Sequence, residues 1–303
     1  MKENFEKKLF AIIDKEKVLL DEPMKKHTTF RIGGPADYFI VPSEVEEIKA
    51  VVSLCEETGM PYYVIGNGSN LLVADKGFRG LIIQIYKAMN QVKIERNVII
   101  AQAGASLAQI AMEALGKELT GFEFAAGIPG TLGGAVRMNA GAYGGEIKDI
   151  LRKATVLTKE GKVVELSKEE LEFGYRTSII ERTGHIILEA EIELALGKRE
   201  DIKAVMDDLR EKRVSKQPLE FPSAGSTFKR PEGYFAGKLI QDAGLNGFRI
   251  GGAQVSEKHS GFVINTGNAT AADVMELMRQ INEKVTARFG VSLEPEVRRI
   301  GEF

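Results

Sequence analysis

The segment PSAGSTFKRP, residues 222–231, sets one hydroxyl, Ser226, in a glycine-bearing stretch and follows it at once with Lys229 and Arg230. A serine in that setting has four uses: nucleophile, phosphate ligand, proton donor, or plain turn residue. The nucleophile needs an imidazole base in reach. The chain has 3 histidines, His27, His185 and His259, and none stands in a triad motif. The other concentration of chemistry-bearing residues is glycine. VIGNGSNLLV and GFEFAAGIPGTLGGAVRMNAGAYGG hold many of the 32 glycines, beside small polar residues. Such loops bring backbone N–H groups close to a phosphate, because glycine has no Cβ and adopts positive φ. In the first loop Gly66 and Gly68 have G-x-G spacing, but Leu71 occupies the third glycine position of a dinucleotide fingerprint. The second, GIPGTLGG, lacks the Lys-Ser/Thr ending of a nucleoside-triphosphate loop.

These loops are framed by recognisable elements. SEVEEIKAVVSLCEETG predicts an amphipathic helix, with Ser43 and Glu46 in capping-box spacing and Gly59 as the stop. Strands are expected at YYVIG, GLIIQI and NVIIAQAG, then a helix from Ser106 to about Lys117. Further strands are expected at ATVLT, KVVEL and HIILEAEIEL, around a helical turn at SKEELEFGY. Near Leu196 to Lys198 the pattern changes to a charged helix with Ile202, Val205, Met206 and Leu209 on one face. A domain boundary is placed there, giving domains 1–197 and 198–303. The second domain ends in a helix whose Val274, Leu277, Met278, Ile281 and Val285 form a buried face.

At 303 residues the chain can bury a sizeable core, and a formal charge of −2 gives no overall field to recruit nucleic acid or an anionic membrane. No run approaches the roughly 18 apolar residues of a membrane span, and the N-terminus has no secretory pattern. The single cysteine, Cys55, rules out an intramolecular disulfide. With scattered histidines, this suits a reducing cytoplasm and no metal.

HTTFRIGGPADYF, VIGNGSNLLV, GIPGTLGGAVRMNAGAYGGE, FGYRTS, PSAGSTFKRP, GGAQVSEKHSGFVIN and LEPEVR, in that order over nearly the whole chain, resemble the UDP-N-acetylmuramate dehydrogenase family, the MurB-type UDP-N-acetylenolpyruvoylglucosamine reductases. The resemblance implies an α+β protein: a two-part FAD-binding domain of the vanillyl-alcohol-oxidase (PCMH) type and a smaller α/β substrate-binding domain. It implies FAD as cofactor, NADPH as electron donor, and reduction of an enolpyruvyl ether of UDP-N-acetylglucosamine to UDP-N-acetylmuramate in peptidoglycan precursor synthesis. Histidine, the usual covalent anchor in the wider group, is absent from Gly66-Asn67-Gly68-Ser69-Asn70, so the flavin is expected to be noncovalent. The short length looks like the family's shorter subtype. A cytoplasmic monomer is expected, with no nucleic acid or membrane partner.

The same resemblance assigns roles. Gly66, Asn67, Gly68, Ser69, Asn70, Gly127, Ile128, Pro129, Gly130, Thr131, Gly133, Gly134, Asn139, Gly141 and Ala142 match the cofactor-binding loops. Arg176 matches the arginine that stabilises carboxylate-conjugated negative charge, a task that suits a guanidinium because it never deprotonates and can fork onto a carboxylate. Ser226 matches the proton donor and Glu296 the third catalytic residue. Glu294 lies two residues before Glu296, and extended backbone sends both to one face unless Pro295 bends the chain. Lys216, Arg230 and Asn246 match positions contacting the UDP moiety. Asn246 stands where many relatives carry a cation, with Arg249 or Lys238 as candidates to replace the charge. His27 is read as a hydrogen-bonded residue ordering the Thr28-Thr29 turn, and Tyr38, Tyr62 and Tyr143 as core or flavin-wall aromatics. Two rivals stay open: a flavin-dependent oxidase of the same fold, and a noncatalytic flavin- or nucleotide-sugar-binding module.

Overall fold

The computed structural model describes residues 2–86 and 88–303. The chain divides into two compact units, and neither is contiguous. The first comprises Met1–Leu20, Tyr38–Asn67 and Gly80–Lys212; the second comprises Asp21–Asp37, Gly68–Arg79 and Arg213–Phe303. The units are thus not the halves 1–197 and 198–303. Two short N-terminal segments belong with the second unit, and the first continues past residue 197 into the helix Arg199–Lys216. On that helix only Ile202 is buried; Val205 is exposed and Met206 packs against the first unit's core. The expected apolar face is too sparse to found a core of its own.

In the first unit a five-stranded antiparallel sheet has the order Val163–Ser167, Leu151–Leu157, Ile186–Glu193, Val98–Gln102, Val92–Glu95. Tyr62–Ile65 runs parallel to Phe78–Gln84 in a second sheet. The strands Val18–Pro23, Pro35–Ile40 and Phe78–Gln84 each carry the chain across the division between units. The helix Val45–Thr58 buries Ile48, Val51, Val52, Leu54 and Cys55 and ends at Gly59, whose φ of 68° lets its N–H reach the Cys55 carbonyl. Its start differs from the expected capping box. The cap position falls on Glu44, and Ser43 donates instead to the Glu47 carboxylate through both N–H (2.6 Å) and Oγ (3.0 Å). Burial pushes the Cys55 thiol up to about 12, so it stays protonated.

The second unit is a four-stranded antiparallel sheet, Ser223–Ser226, Phe262–Asn265, Ala253–Val255, Arg249–Ile250, packed against the helix Ala271–Phe289. All five residues expected on that helix's inner face are buried. Its N-terminus carries a complete capping box between Thr270 and Asp273, and the Asp75 carboxylate accepts the Ala271 and Ala272 N–H groups at 2.7 and 3.0 Å. The strand Arg298–Ile300 returns to lie parallel to Leu71–Val73. That pairing brings the C-terminal segment back beside the first glycine loop. Among the described residues no helix is long and apolar enough to cross a membrane.

Candidate functional site

The two glycine loops of the first unit are built against each other. A Cβ on Gly66 would lie 2.2 Å from Thr131 Oγ1, so this position admits only glycine. The Asn67 amide donates to the Pro129 carbonyl at 2.8 Å. Gly130 accepts from Leu107 N–H (3.1 Å), and Gly133 N–H donates to the Ala103 carbonyl (2.9 Å). Between them opens a cleft of about 70 Å³, lined by Gly66, Thr131, Gly133 and Gly134 together with Arg137, His185 and aliphatic side chains. Four of the expected cofactor residues therefore line one cleft. Gly127, Ile128, Pro129 and Gly130 form the adjoining turn, closed by Ile128 N–H to Ala125 and Gly130 N–H to Ile128.

Asn139 has a different task. It is fully buried in the left-handed conformation (φ 44°) and spends its side chain on the protein. The amide donates to the Glu146 carboxylate and the Gly174 carbonyl, both at 3.0 Å, and the amide oxygen accepts Lys148 N–H at 2.9 Å. No donor remains for a cofactor, and the residue becomes a support for the loop that carries Arg176. Gly141 and Ala142 pair with Glu146 and Gly145 in a two-residue ladder beside it.

Arg176 sits on a tight turn between Gly174 and Thr177, which bridge each other, and its own φ is 57°. A non-glycine residue held there is strained, and the surrounding contacts must impose it. Its guanidinium donates to the Gly141 carbonyl at 3.2 Å and lies 5.2 Å from the Tyr175 ring centroid. Nearby, Lys148 holds the Glu146 carboxyl below its usual range against the opposing effect of burial, with Asn139 and the charge of Arg176 adding to it.

In the second unit Ser226 ends a strand rather than occupying a free turn. It pairs with Phe262, and the register slips between Ser223 and Ser226. Gly225 supplies the positive φ, 76°, that such a bulge requires, and leaves Ser226 exposed. Glu296 is brought to it by backbone. Its N–H donates to the Thr227 carbonyl at 2.9 Å, Lys229 N–H donates to the Glu294 carbonyl at 2.8 Å, and Phe228 bridges Pro295. Asn70 completes the clamp, donating its amide to the Glu296 carbonyl at 3.1 Å while its own carbonyl accepts Arg298 N–H. Asn70, expected at the cofactor, thus spends an amide N–H on positioning Glu296. The two carboxylates have separate fates: Glu294 is exposed and ion-paired with Lys229, whereas Glu296 is half-buried.

Gly68, Ser69 and Asn70 belong to this unit. A Cβ on Gly68 would meet the His27 carbonyl at 2.0 Å, and the His27 ring pairs with Glu22 at 3.0 Å. Lys216 is exposed at the end of its helix, and its charge reaches His259. Arg230 donates Nε to the Tyr234 carbonyl and stacks 3.9 Å over the Phe235 ring. Asn246 accepts the Ser260 hydroxyl at 2.8 Å. Lys238 pairs with Asp242, and Arg249 donates to the Gly251 carbonyl.

His259, unassigned from the sequence, has a defined state. Burial, aided by the Lys216 charge, holds its pKa below the usual histidine range, against one backbone hydrogen bond. Nδ1 accepts Gly261 N–H at 3.1 Å, so the neutral ring carries its hydrogen on Nε2 and presents it as a donor. Tyr38 is a core residue bonded to Glu6, whereas Tyr143 is half exposed at φ 53°. The second unit therefore unites Ser226, Glu296 and Lys229, while Arg176 belongs to the first.

Residues 36–167 match the family described as FAD binding domain, and residues 217–300 match UDP-N-acetylenolpyruvoylglucosamine reductase, C-terminal domain. The chain is 53% identical to the UDP-N-acetylenolpyruvoylglucosamine reductase of Alkaliphilus oremlandii, over 98% of this chain and 97% of that protein. It is also 53% identical to the enzyme of that name from Clostridioides difficile, over 97% of each. The crystal structure of UDP-N-acetylenolpyruvylglucosamine reductase (MurB) from Thermus caldophilus superimposes with a TM-score of 0.80 at 35% identity, covering 94% of this chain and 98% of that one. An alkyldihydroxyacetonephosphate synthase, 18% identical with a TM-score of 0.50 over 64% of this chain and 40% of that one, shares the fold.

Proposed function

The chain belongs to the UDP-N-acetylenolpyruvoylglucosamine reductase family, and we propose that it reduces the enolpyruvyl ether of UDP-N-acetylglucosamine to UDP-N-acetylmuramate, with FAD bound noncovalently and NADPH as electron donor. The observation that carries this reading is similarity extending through both units, not one alone. The residues fit a flavin dinucleotide. Gly66, Gly133 and Gly134 leave part of the cleft wall without side chains beside the Thr131 hydroxyl, and the glycine loops offer backbone to a phosphate there.

Bound FAD supplies the hydride to one carbon of the double bond; the chain must manage the charge and the proton. Arg176 holds the substrate carboxylate while negative charge develops on it, and its position is fixed before reaction by the strained turn. Ser226 gives its hydroxyl proton to the second carbon. A hydroxyl is a poor acid by its own pKa, so this works only against a strongly basic carbanion and from a fixed position. The Gly225 bulge and the Phe262 pairing fix it. Glu296, clamped by Thr227 and Asn70, pairs with the substrate carboxylate region through a shared proton or orients Arg176 and the intermediate. Lys216 and Arg230 hold the diphosphate by charge-assisted hydrogen bonds, Asn246 adds a neutral amide, and His259 Nε2–H offers a further donor in the same unit.

Cofactor binding is assigned mainly to the first unit, and substrate binding to the second. A cytoplasmic monomer in peptidoglycan precursor synthesis is part of the same reading. Anaerobic reduction of the flavin by NADPH, followed by reoxidation on adding the enolpyruvyl UDP-sugar, tests it. A flavin that bleaches but is not reoxidised by that sugar overturns the substrate assignment. Yellow colour that stays with acid-precipitated protein overturns noncovalent attachment.

A further inference from the structure

Glu146 is a half-buried carboxylate that ends the second glycine-rich stretch, in the same unit as Arg176. Three links lead from it to the arginine. Its Cγ packs so closely on Gly141 that a Cβ there would lie 2.8 Å away, and the Gly141 carbonyl accepts the Arg176 guanidinium at 3.2 Å. Its Oε2 accepts the Asn139 amide at 3.0 Å, and the same amide donates to the carbonyl of Gly174, two residues before Arg176, also at 3.0 Å. The charge of Arg176 reaches the carboxylate through space as well, adding to the stronger hold of Lys148 and Asn139. A carboxylate within electrostatic reach of a guanidinium competes with an anionic substrate for it. Here the Lys148 ammonium, 2.7 Å from Oε2, and the Asn139 amide converge on one oxygen and draw that charge toward themselves.

Resting on the proposed reduction, we infer that Glu146 is a positioning residue for Arg176: it fixes the Asn139 amide and backs the Gly141 carbonyl, so that the guanidinium is in place before negative charge develops on the substrate. A side-chain amide can lie either way round, with its oxygen or its NH2 group toward a given neighbour. The anionic Oε2 admits only the donor end, and the Lys148 N–H, 2.9 Å from the amide oxygen, admits only the acceptor end. The Gly174 carbonyl therefore keeps its donor, and the turn that holds Arg176 at φ 57° keeps its shape. Glutamine in place of Glu146 can present its own NH2 group to Asn139, and the orientation is no longer enforced. Because Arg176 acts on charge that appears in the transition state, the loss falls mainly on the rate of the oxidative half-reaction rather than on substrate affinity.

Anaerobic stopped-flow absorbance of the flavin-loaded enzyme tests the assignment. Glu146→Gln should slow reoxidation by the enolpyruvyl UDP-sugar about 10- to 100-fold, the range expected when a reacting group is misplaced by about 1 Å or less. The sugar concentration giving half the maximal rate should change by less than about 2-fold, and flavin reduction by NADPH should stay near the parental rate. Glu146→Asp, which keeps the charge, should recover part of the loss. A double-mutant cycle separates positioning from general support: in an Arg176→Lys background Glu146→Gln should cost little more, because a residue that acts through Arg176 has nothing left to position. Should Glu146→Gln fail to fold, Lys148→Met reads the same coupling. It releases the carboxylate toward Arg176 and should slow reoxidation, a loss that shrinks at high salt and vanishes in the Arg176→Lys background. Parental reoxidation in the variant that folds, an equal loss in both half-reactions, or the full loss repeated in the Arg176→Lys background overturns the inference. An unaltered protein whose reduced flavin is not reoxidised by the sugar sinks the proposed function instead.

Discussion

Arg176 stands on a turn fixed largely by the side chain of one buried residue, Asn139, whereas Ser226 and Glu296 stand on a backbone ladder that needs few particular side chains. Both arrangements place a reactive group on unusual backbone. In the first the left-handed residue is the arginine itself at φ 57°, and in the second it is the glycine before the serine at 76°. The difference teaches where each is fragile. Truncating Asn139, itself fully buried, leaves three half-buried partners, Glu146, Lys148 N–H and the Gly174 carbonyl, without their bond at once. Truncating Ser226 leaves the scaffold intact and removes only chemistry.

The comparison is sharpest at Ser226. Ser226→Ala should fold normally and reduce with NADPH at nearly the parental rate, yet slow reoxidation by the enolpyruvyl sugar about 10²–10⁴-fold, the usual range for a positioned general acid. Anaerobic stopped-flow absorbance of the flavin separates the halves. Parental reoxidation in the variant would return Ser226 to a plain strand-end residue.

Asn139→Ala should do the opposite, lowering stability by about 3 kcal/mol, because the Gly174 carbonyl and Lys148 N–H lose buried partners and alanine resists the left-handed conformation. Urea unfolding measures it; a loss under about 1 kcal/mol would mean that the Arg176 turn holds itself. Lys216→Ala or Arg230→Ala should raise the KM for the UDP-sugar about 10- to 100-fold with little change in stability, as expected for a lost hydrogen bond to a charged group. An unaltered KM in both would place the diphosphate elsewhere.

A smaller effect belongs to His259, whose folded-state pKa lies below the free value of 6.5. Below that value the unfolded chain takes up the proton first, so this group makes stability fall as pH drops from about 6.5 toward the lower folded pKa and adds no further loss beneath it. His259→Gln should flatten this part of a urea-midpoint profile against pH. An identical profile would show that the imidazole is solvated. Least of all, Glu294→Gln should cost under about 1 kcal/mol, since it removes only a partly exposed pair with Lys229, and should leave turnover unchanged. Loss of turnover there, with Glu296→Gln retaining it, would exchange the roles of the two carboxylates.

Much of this was legible along the chain. The buried face of the helix Ala271–Phe289, the stop at Gly59 and the strands flanking the glycine loops follow from residues within a few positions of one another. What failed was also instructive. Ser43 and Glu46 had the right spacing for a cap, but Glu47 took the Ser43 N–H and hydroxyl, and the cap moved to Glu44. Asn139 and Asn70 lie in cofactor motifs, and the motifs did not show the protein contacts they also make: Asn139 supports the turn that carries Arg176, and Asn70 holds Glu296.

The sequence by itself determined the family, the glycines and the reactive residue types, because each is specified by local backbone demand or by motif. Only the tertiary structure decided that the two units interleave along the chain, that Asn70 clasps a carbonyl 226 residues away, and that His185 and Arg137 share a cleft with Gly66. Spacing along a chain carries no record of such partners. A buried amide or imidazole is assigned its work by whichever donors and acceptors long-range packing closes around it, and His185 is left with a nitrogen that the protein itself does not satisfy.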